Sequence, residues 1–198
     1  MDATTALSDW PKKIARIALA ALLLGLFWTI LAGRGAAQPA VRVTVIGPAA
    51  AVPAGQTFLV TIAVDNAQNL GAFEFEYNFN SSTVGAPVSN IQLGGMLGST
   101  GRTTGELRMA DAPGRPGVPL FGAYSYGEAN GPNGSGILAN VIMNALSPGS
   151  SQLNLSELKV TNIAGDELPS AVIAGTVTVI QATPRAIYMP LLRRNSGN

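Results

Sequence analysis

Carboxylates are the side chains that could carry acid–base chemistry in this sequence, because it contains no histidine and no cysteine. Glu74 and Glu76 have the alternate spacing that puts two side chains on one face of a strand. Neighbours on a solvated sheet face lack the desolvation that raises a carboxyl pKa, whereas glycosidase carboxylates flank a cleft. We therefore expect no catalytic residues and no enzymatic activity. The acids beyond residue 37 are Asp65, Glu74, Glu76, Glu106, Asp111, Glu128, Glu157, Asp166 and Glu167.

Metal, phosphate and nucleic-acid chemistry find little support in the sequence. Asp65-Asn66 and residues 162–167 offer oxygen ligands of the kind that Ca²⁺ prefers. Neither has EF-hand spacing, and turn formation accounts for both, so we expect no metal site and leave Ca²⁺ as the one cofactor still open. There is no Gly-x-Ser-x-Gly or Walker-type motif. A formal net charge of +1 gives no electrostatic case for nucleic acid.

The strongest structural signal is an aromatic strand within residues 70–80. Phe73, Phe75, Tyr77 and Phe79 alternate with Glu74, Glu76 and Asn78, which predicts one aromatic face and one polar face. We expect the four rings to anchor the core, since each buried aromatic removes about 150–250 Å² from water. Glu74, Glu76 and Asn78 should then point outward from an antiparallel sheet that is wet on one side.

The first 37 residues resemble a targeting segment rather than part of the fold. Lys12, Lys13 and Arg16 precede an uncharged run from Ile17 to Gly33, and the small residues Gly35 to Ala37 follow. This order is typical of a secretory signal helix that is cleaved after Ala37. An uncleaved anchor is the alternative, because the run is close to the roughly 17 residues that span a bilayer. We expect a secreted or cell-surface protein, with membrane contact only through this segment.

The rest of the chain reads as short strands joined by turns. It is rich in glycine (23 residues) and proline (13 residues), and no amphipathic helix is visible after residue 37. About nine strands at spacings near 8–12 residues predict an all-β antiparallel sandwich. We assign residues 38–182 to this domain and residues 183–198 to a C-terminal tail. The tail either lies on the sandwich or acts as a retention or export signal.

The order of these segments resembles the cohesin domain of cellulosome scaffolds. The pieces that carry the resemblance are Val41–Val45, Pro53–Ile62, Tyr77–Asn80, Gly136–Val141 and Gly175–Val179. The resemblance implies a jelly-roll-type sandwich that binds a dockerin-like protein on a sheet face. Glu74 falls where the family commonly has an acidic partner contact, and Glu76 and Asn78 extend the same face. Ala72 replaces a common Asn, which implies a non-standard or weaker partner.

Two other functions stay open at this point. One is a carbohydrate-binding module, since related sandwiches bind polysaccharide. It ranks second because no tryptophan lies beyond residue 37 and because Tyr124 and Tyr126, in phase on one strand, are expected to be buried. The other is a structural protein of a surface layer.

Overall fold

The computed structural model describes residues 40–182, which form twelve strands and one short 3₁₀ helix at Val88–Asn90. The expectations about residues 1–37 and 183–198 lie outside this range. No helix within residues 40–182 is long and apolar enough to cross a membrane. The strands are β1 (Val41–Ile46), β2 (Val52–Pro53), β3 (Thr57–Ala67), β4 (Leu70–Asn78), β5 (Val84–Gly85), β6 (Ile91–Leu93), β7 (Thr103–Met109), β8 (Leu120–Tyr126), β9 (Gly134–Ala145), β10 (Gly149–Asn162), β11 (Ser170–Ile173) and β12 (Gly175–Ile180).

The strands form two sheets that enclose one hydrophobic core. The first sheet has the order β11-β1-β3-β9-β5, with β6 also paired to β9. The second has the order β2-β12-β10-β4-β8-β7. Inward side chains of both sheets are buried, including Val60, Ile62 and Val141 of the first sheet and Val177 of the second. The all-β sandwich predicted from the sequence is thereby confirmed.

The aromatic strand β4 lies at the centre of the second sheet, between β10 and β8. Phe73, Phe75 and Tyr77 are at most 3% exposed, and Phe75 packs against Phe73 and Phe121 with ring centroids 6.1 and 5.8 Å apart. The expectation that Phe79 is equally buried is wrong. Strand β4 ends at Asn78, so Phe79 is only partly buried, with its ring against Tyr77 at 5.4 Å.

Buried Tyr77 illustrates how the core satisfies a polar group. Its hydroxyl donates to Met143 Sδ of β9 at 3.1 Å, across the sandwich from its own strand. Burial raises the pKa of Tyr77 well above its usual value, because a phenolate loses its hydration there. The hydroxyl is thus a structural donor between the sheets.

Strand β10 differs most from what its sequence predicts, because the alternation there reads as two short strands, one with Leu153 and Leu155 and the other with Leu158 and Val160. It is one strand of 14 residues with a bulge opposite β4, where the register shifts between Ser156 and Lys159. Glu157 adopts a positive φ of 50° at this bulge. The bulge resets the alternation, so that Leu155 and Val160 both point into the core. A period-2 pattern interrupted in this way looks like two strands in sequence.

The sheets are also not purely antiparallel, which corrects a second expectation. β11 pairs parallel to β1, and β2 pairs parallel to β12. Both parallel pairings are made by edge strands, and only a few residues of each edge strand pair with its neighbour. β2 and β5 have two residues each and β11 has four, too few for a period to show in the sequence. These additions raise the count from about nine strands to twelve.

Candidate functional site

The outer face of the second sheet is the surface on which the sequence-predicted site residues lie. We use "outer face" for the solvent side of β10, β4, β8 and β7. Its residues follow from the strand register and the alternation of side chains. They are Asn154, Ser156, Lys159 and Thr161 of β10; Ala72, Glu74, Glu76 and Asn78 of β4; Leu120, Gly122, Tyr124 and Tyr126 of β8; and Thr103, Gly105, Leu107 and Met109 of β7.

Glu74 lies where the sequence placed it, on the solvent side of β4. Its side chain is 35% exposed, and its Oε1 is 3.7 Å from Lys159 Nζ on the neighbouring strand. Lys159 is itself 63% exposed. Exposed pairs of this kind contribute about 0–1 kcal/mol to stability. The carboxylate therefore remains available to a binding partner.

Glu76 points outward as expected but is not exposed, which corrects the prediction. The residue is only 5% exposed, because Arg115 from the β7–β8 loop covers it and forms a salt bridge with its Oε2. The Ser156 hydroxyl donates to the same oxygen at 3.0 Å. Asn78 is partly buried, and its Oδ1 accepts from Arg115 Nη2 at 2.8 Å. Alternation correctly gave the side of the sheet, but it could not show a distant loop lying on it.

The loop between β7 and β8 is held in shape by its own backbone. Ala112 N–H donates to Val118 O at 2.7 Å, and Arg115 N–H donates to Ala112 O at 2.9 Å. The N–H of Gly117, which has a φ of 79°, donates to Asp111 Oδ1 at 2.6 Å. Ala112 is buried at the base of these contacts, with 2% of its surface exposed. These contacts place Arg115 above β4.

A shallow concavity of about 290 Å³ opens beside the Arg115 contact, over Gly122. Its walls are mainly apolar, and polar groups lie along one side. The missing side chain at Gly122 creates the depression, with Leu107 of β7 at one edge. Such a concavity suits one apolar side chain of a partner, bordered by charged and hydroxyl groups. The lining residues are Ala72, Phe73, Glu74, Leu107, Gly122, Ala123, Tyr124, Lys159 and Thr161.

Tyr124 and Tyr126 are exposed, so the expectation that they are buried is wrong. They are 52% and 56% exposed, with ring centroids 6.3 Å apart. The inward positions of β8 are taken by Phe121 and Ala123, which puts the in-phase tyrosines on the solvent side. The ring of Tyr124 lies over Gly105 of β7, where a Cβ would come within 2.4 Å of the ring. Glycine at 105 therefore lets this ring lie flat across the neighbouring strand.

Arg102 fixes the loop that follows Tyr126. Its Nε donates to Ser125 Oγ at 3.0 Å, and its Nη2 donates to Ser125 O at 3.1 Å. Its Nη1 donates to the carbonyls of Gly127 and Ala129. These contacts hold the end of β8 and the start of the β8–β9 loop in place. The tyrosine pair therefore lies at a strand end that the Arg102 hydrogen bonds hold in place.

The described residues 40–182 contain no group of three or more acidic side chains placed to hold a metal ion. In the turn at residues 162–167, Asn162 Oδ1 accepts from the N–H groups of Ala164 and Asp166 at 2.9 and 3.0 Å. Asn162 Nδ2 donates to Asp166 Oδ2 at 2.9 Å. The candidate ligands of this turn thus bond with one another, as turn chemistry predicts.

Sequence reasoning found Glu74 but missed the residues that give the outer face its shape. Arg115 lies in a Gly- and Pro-rich segment that reads only as a turn, and nothing local indicates that it contacts β4. Ser156 and Lys159 lie on either side of the bulge in β10, where the alternation is interrupted. The glycines at 105 and 122 are the one signal that could have helped, because strand-interior glycines mark a close approach.

Comparison with known proteins gives matches to solved structures only. No family model and no curated protein sequence matches the chain. A non-cellulosomal cohesin from Archaeoglobus fulgidus superposes with a TM-score of 0.56 at 17% identity, covering 72% of this chain and 92% of that one. A cohesin module from a Clostridium perfringens family 33 glycoside hydrolase gives 0.56 at 12% identity, covering 72% and 98%. The domain has the cohesin fold.

Cohesins that were solved with a partner are among the matches. The cohesin of a type I cohesin–dockerin complex from Clostridium thermocellum superposes with a TM-score of 0.54 at 14% identity, covering 75% of this chain and all of that one. The cohesin resemblance noted in the sequence is therefore confirmed for the fold. At these identities the likeness concerns architecture, while the binding residues of this cohesin-like domain must be argued from its own surface.

Proposed function

We propose that residues 40–182 form a non-catalytic binding module that takes a dockerin-like protein partner on the outer face. The observation that carries the proposal is the apolar concavity over Gly122, which lies beside the partly exposed carboxylate of Glu74. Leu107 and Tyr124 are 46% and 52% exposed at its edges. Large apolar side chains around a recess, with a carboxylate at the rim, favour a protein interface.

The fold comparison supports a protein as the partner, because several of the matched cohesins were solved in complexes with dockerins. Two features of this face differ from the family pattern, and they indicate a partner that differs from an ordinary dockerin. Ala72 cannot offer a polar contact, and Arg115 occupies Glu76 and Asn78. In the free protein the open part of the outer face is therefore Glu74 and the recess, and we place the centre of the partner's footprint there.

Capture of secreted proteins on the immobilised protein tests the proposal. Wild type should retain a partner, and Leu107→Asp should lose it because a charge enters the apolar recess. Leu59→Asp is the matched control, since Leu59 is 54% exposed on β3, in the other sheet. A partner retained by Leu107→Asp and lost by Leu59→Asp would place the interface on the first sheet.

A carbohydrate is the second candidate ligand, and the exposed tyrosine pair favours it. Sugars stack on exposed aromatic rings, and Tyr124 and Tyr126 present two rings 6.3 Å apart. Hydroxyl and charged groups of Thr161 and Lys159 lie near the recess. A glycan array with wild type and Tyr126→Ala tests this function. If a glycan still binds to Tyr126→Ala, the tyrosine pair is not the sugar-binding site.

We also propose that the protein works outside the cell or at its surface. The support is the basic, apolar and small-residue order of residues 12–37, together with the match to a cohesin from a cellulosome. N-terminal sequencing of the exported protein should give a start at Gln38. Intact Met1 in the membrane fraction would favour the uncleaved anchor.

A further inference from the structure

The carboxylate of Glu76 is almost fully buried on a face that otherwise meets solvent. Its side chain is 7% exposed, whereas that of Arg115 above it is 42% exposed. A buried carboxylate without a cation is strongly unfavourable. The position therefore requires a positive charge, and Arg115 supplies it from a loop nearly 40 residues further along the chain.

The groups around Glu76 are arranged to receive a planar fork of donors. Arg115 Nη1 donates to Glu76 Oε2 and to Ser156 Oγ, the latter at 2.8 Å. Its Nη2 donates to Asn78 Oδ1 at 2.8 Å. The Ser156 hydroxyl also accepts from Asn78 Nδ2 at 2.8 Å and donates to Glu76, which uses its full hydrogen-bonding capacity. Strands β4 and β10 thus hold three acceptors in place for one guanidinium.

The Arg115 side chain can leave without unfolding its loop. The hydrogen bonds that shape the loop join the backbones of Ala112, Arg115 and Val118, and the N–H of Gly117 to the Asp111 carboxylate, and none involves the guanidinium. The acceptors are likewise fixed without it, because Asn78 Nδ2 is bonded to Ser156 Oγ and to Glu76 O. Rotation about the arginine side-chain bonds is the only motion that exchange requires.

We propose that Glu76, Asn78 and Ser156 form a guanidinium-binding site that Arg115 fills in the free protein and an arginine of the protein partner fills in the complex. The inference rests on the proposed function, since it takes the outer face as the partner surface. Charge complementarity favours a cation as the occupant, because a positive charge stabilises the nearly buried carboxylate of Glu76. A lysine ammonium cannot span Glu76 and Asn78 as the guanidinium fork does.

Titration with N-acetyl-arginine amide, followed by NMR, tests the site without any partner. In Arg115→Ala the Asn78 side-chain amide and the Ser156 backbone amide should shift saturably with millimolar ligand. Wild type should need a few-fold more ligand, because a tethered arginine competes at an effective concentration in the millimolar range, which is comparable to the concentration at which the free ligand saturates the site. N-acetyl-lysine amide should bind at least several-fold more weakly. Arg42→Ala, on the first sheet, should behave as wild type.

Two controls make the titration decisive. Adding Glu76→Gln to Arg115→Ala should abolish saturable binding, and Arg115→Ser repeats the test if the alanine variant does not fold. Absence of binding in a folded Arg115 variant, or binding that survives Glu76→Gln, would overturn the site. Because no partner is used, this failure is distinct from an empty capture experiment, which would overturn the proposed function.

Exchange itself is tested with the captured partner. Arg115→Ala should bind that partner a few-fold more tightly than wild type, because the competing arginine is gone. Equal or weaker binding by Arg115→Ala would contradict the exchange.

Discussion

Phe75→Ala and Phe79→Ala should destabilise the domain by clearly different amounts, although the sequence pattern treats the two rings alike. Phe75 has no exposed surface and packs between Phe73 and Phe121. Its truncation should cost about 3–5 kcal/mol, as transfer and cavity terms add. Phe79 lies beyond the end of β4 and is partly exposed, so its truncation should cost about half as much.

These costs translate into transitions that are easy to separate. For a domain of this size, each kcal/mol shifts the melting temperature by about 2–4 °C, so Phe75→Ala should melt roughly 6–20 °C below wild type. Total stability of a domain is about 5–15 kcal/mol, which means that Phe75→Ala can approach unfolding. Urea denaturation followed by tyrosine fluorescence gives the free energies. Equal losses for the two variants would refute the burial difference between Phe75 and Phe79.

Three further changes have expected outcomes. Arg115→Ala should lower the free energy of unfolding in urea by about 1–2 kcal/mol, since it uncovers a buried carboxylate while the arginine itself is 42% exposed; a larger loss than Phe75→Ala gives would contradict this reasoning. Gly71→Ala should cost about 2–3 kcal/mol in the same assay, because its Cβ would lie 2.3 Å from Asn162 O, whereas Gly95→Ala meets nothing within 4 Å and should be near neutral. Glu74→Ala should weaken partner binding at least ten-fold in a calorimetric titration while stability changes by less than about 0.5 kcal/mol, and unchanged affinity would remove this carboxylate from the interface.

The strands in which apolar and polar residues alternate over many positions could be predicted from the sequence. Phe73, Phe75 and Tyr77 follow a strict alternation, and alternation over several residues is the signal that a half-buried strand gives. The same rule gave the solvent side of β4 for Glu74. It gave the wrong side for Tyr124 and Tyr126, because β8 is apolar at almost every position and so has no contrast between its faces.

What the sequence could not give depends on contacts between distant segments. The bulge at Glu157 shifts the phase of β10, and no local pattern distinguishes a bulge from a strand end. The burial of Glu76 depends on Arg115, 39 residues away. Two-residue strands such as β2 and β5 exist because longer neighbours offer them hydrogen bonds. Such pairings follow from the assembled sandwich rather than from propensity.

Hydroxyl-radical footprinting of the complex with the captured partner tests the central claim most directly. The claim is that the partner binds the recess over Gly122 on the outer face. Leu107, Tyr124 and Tyr126, each about half exposed in the free domain, should lose most of their labelling in the complex. Leu59 and Ile142 on the first sheet should be labelled as in the free protein. Protection of Leu59 and Ile142, with Leu107 and Tyr124 still labelled, would contradict the account.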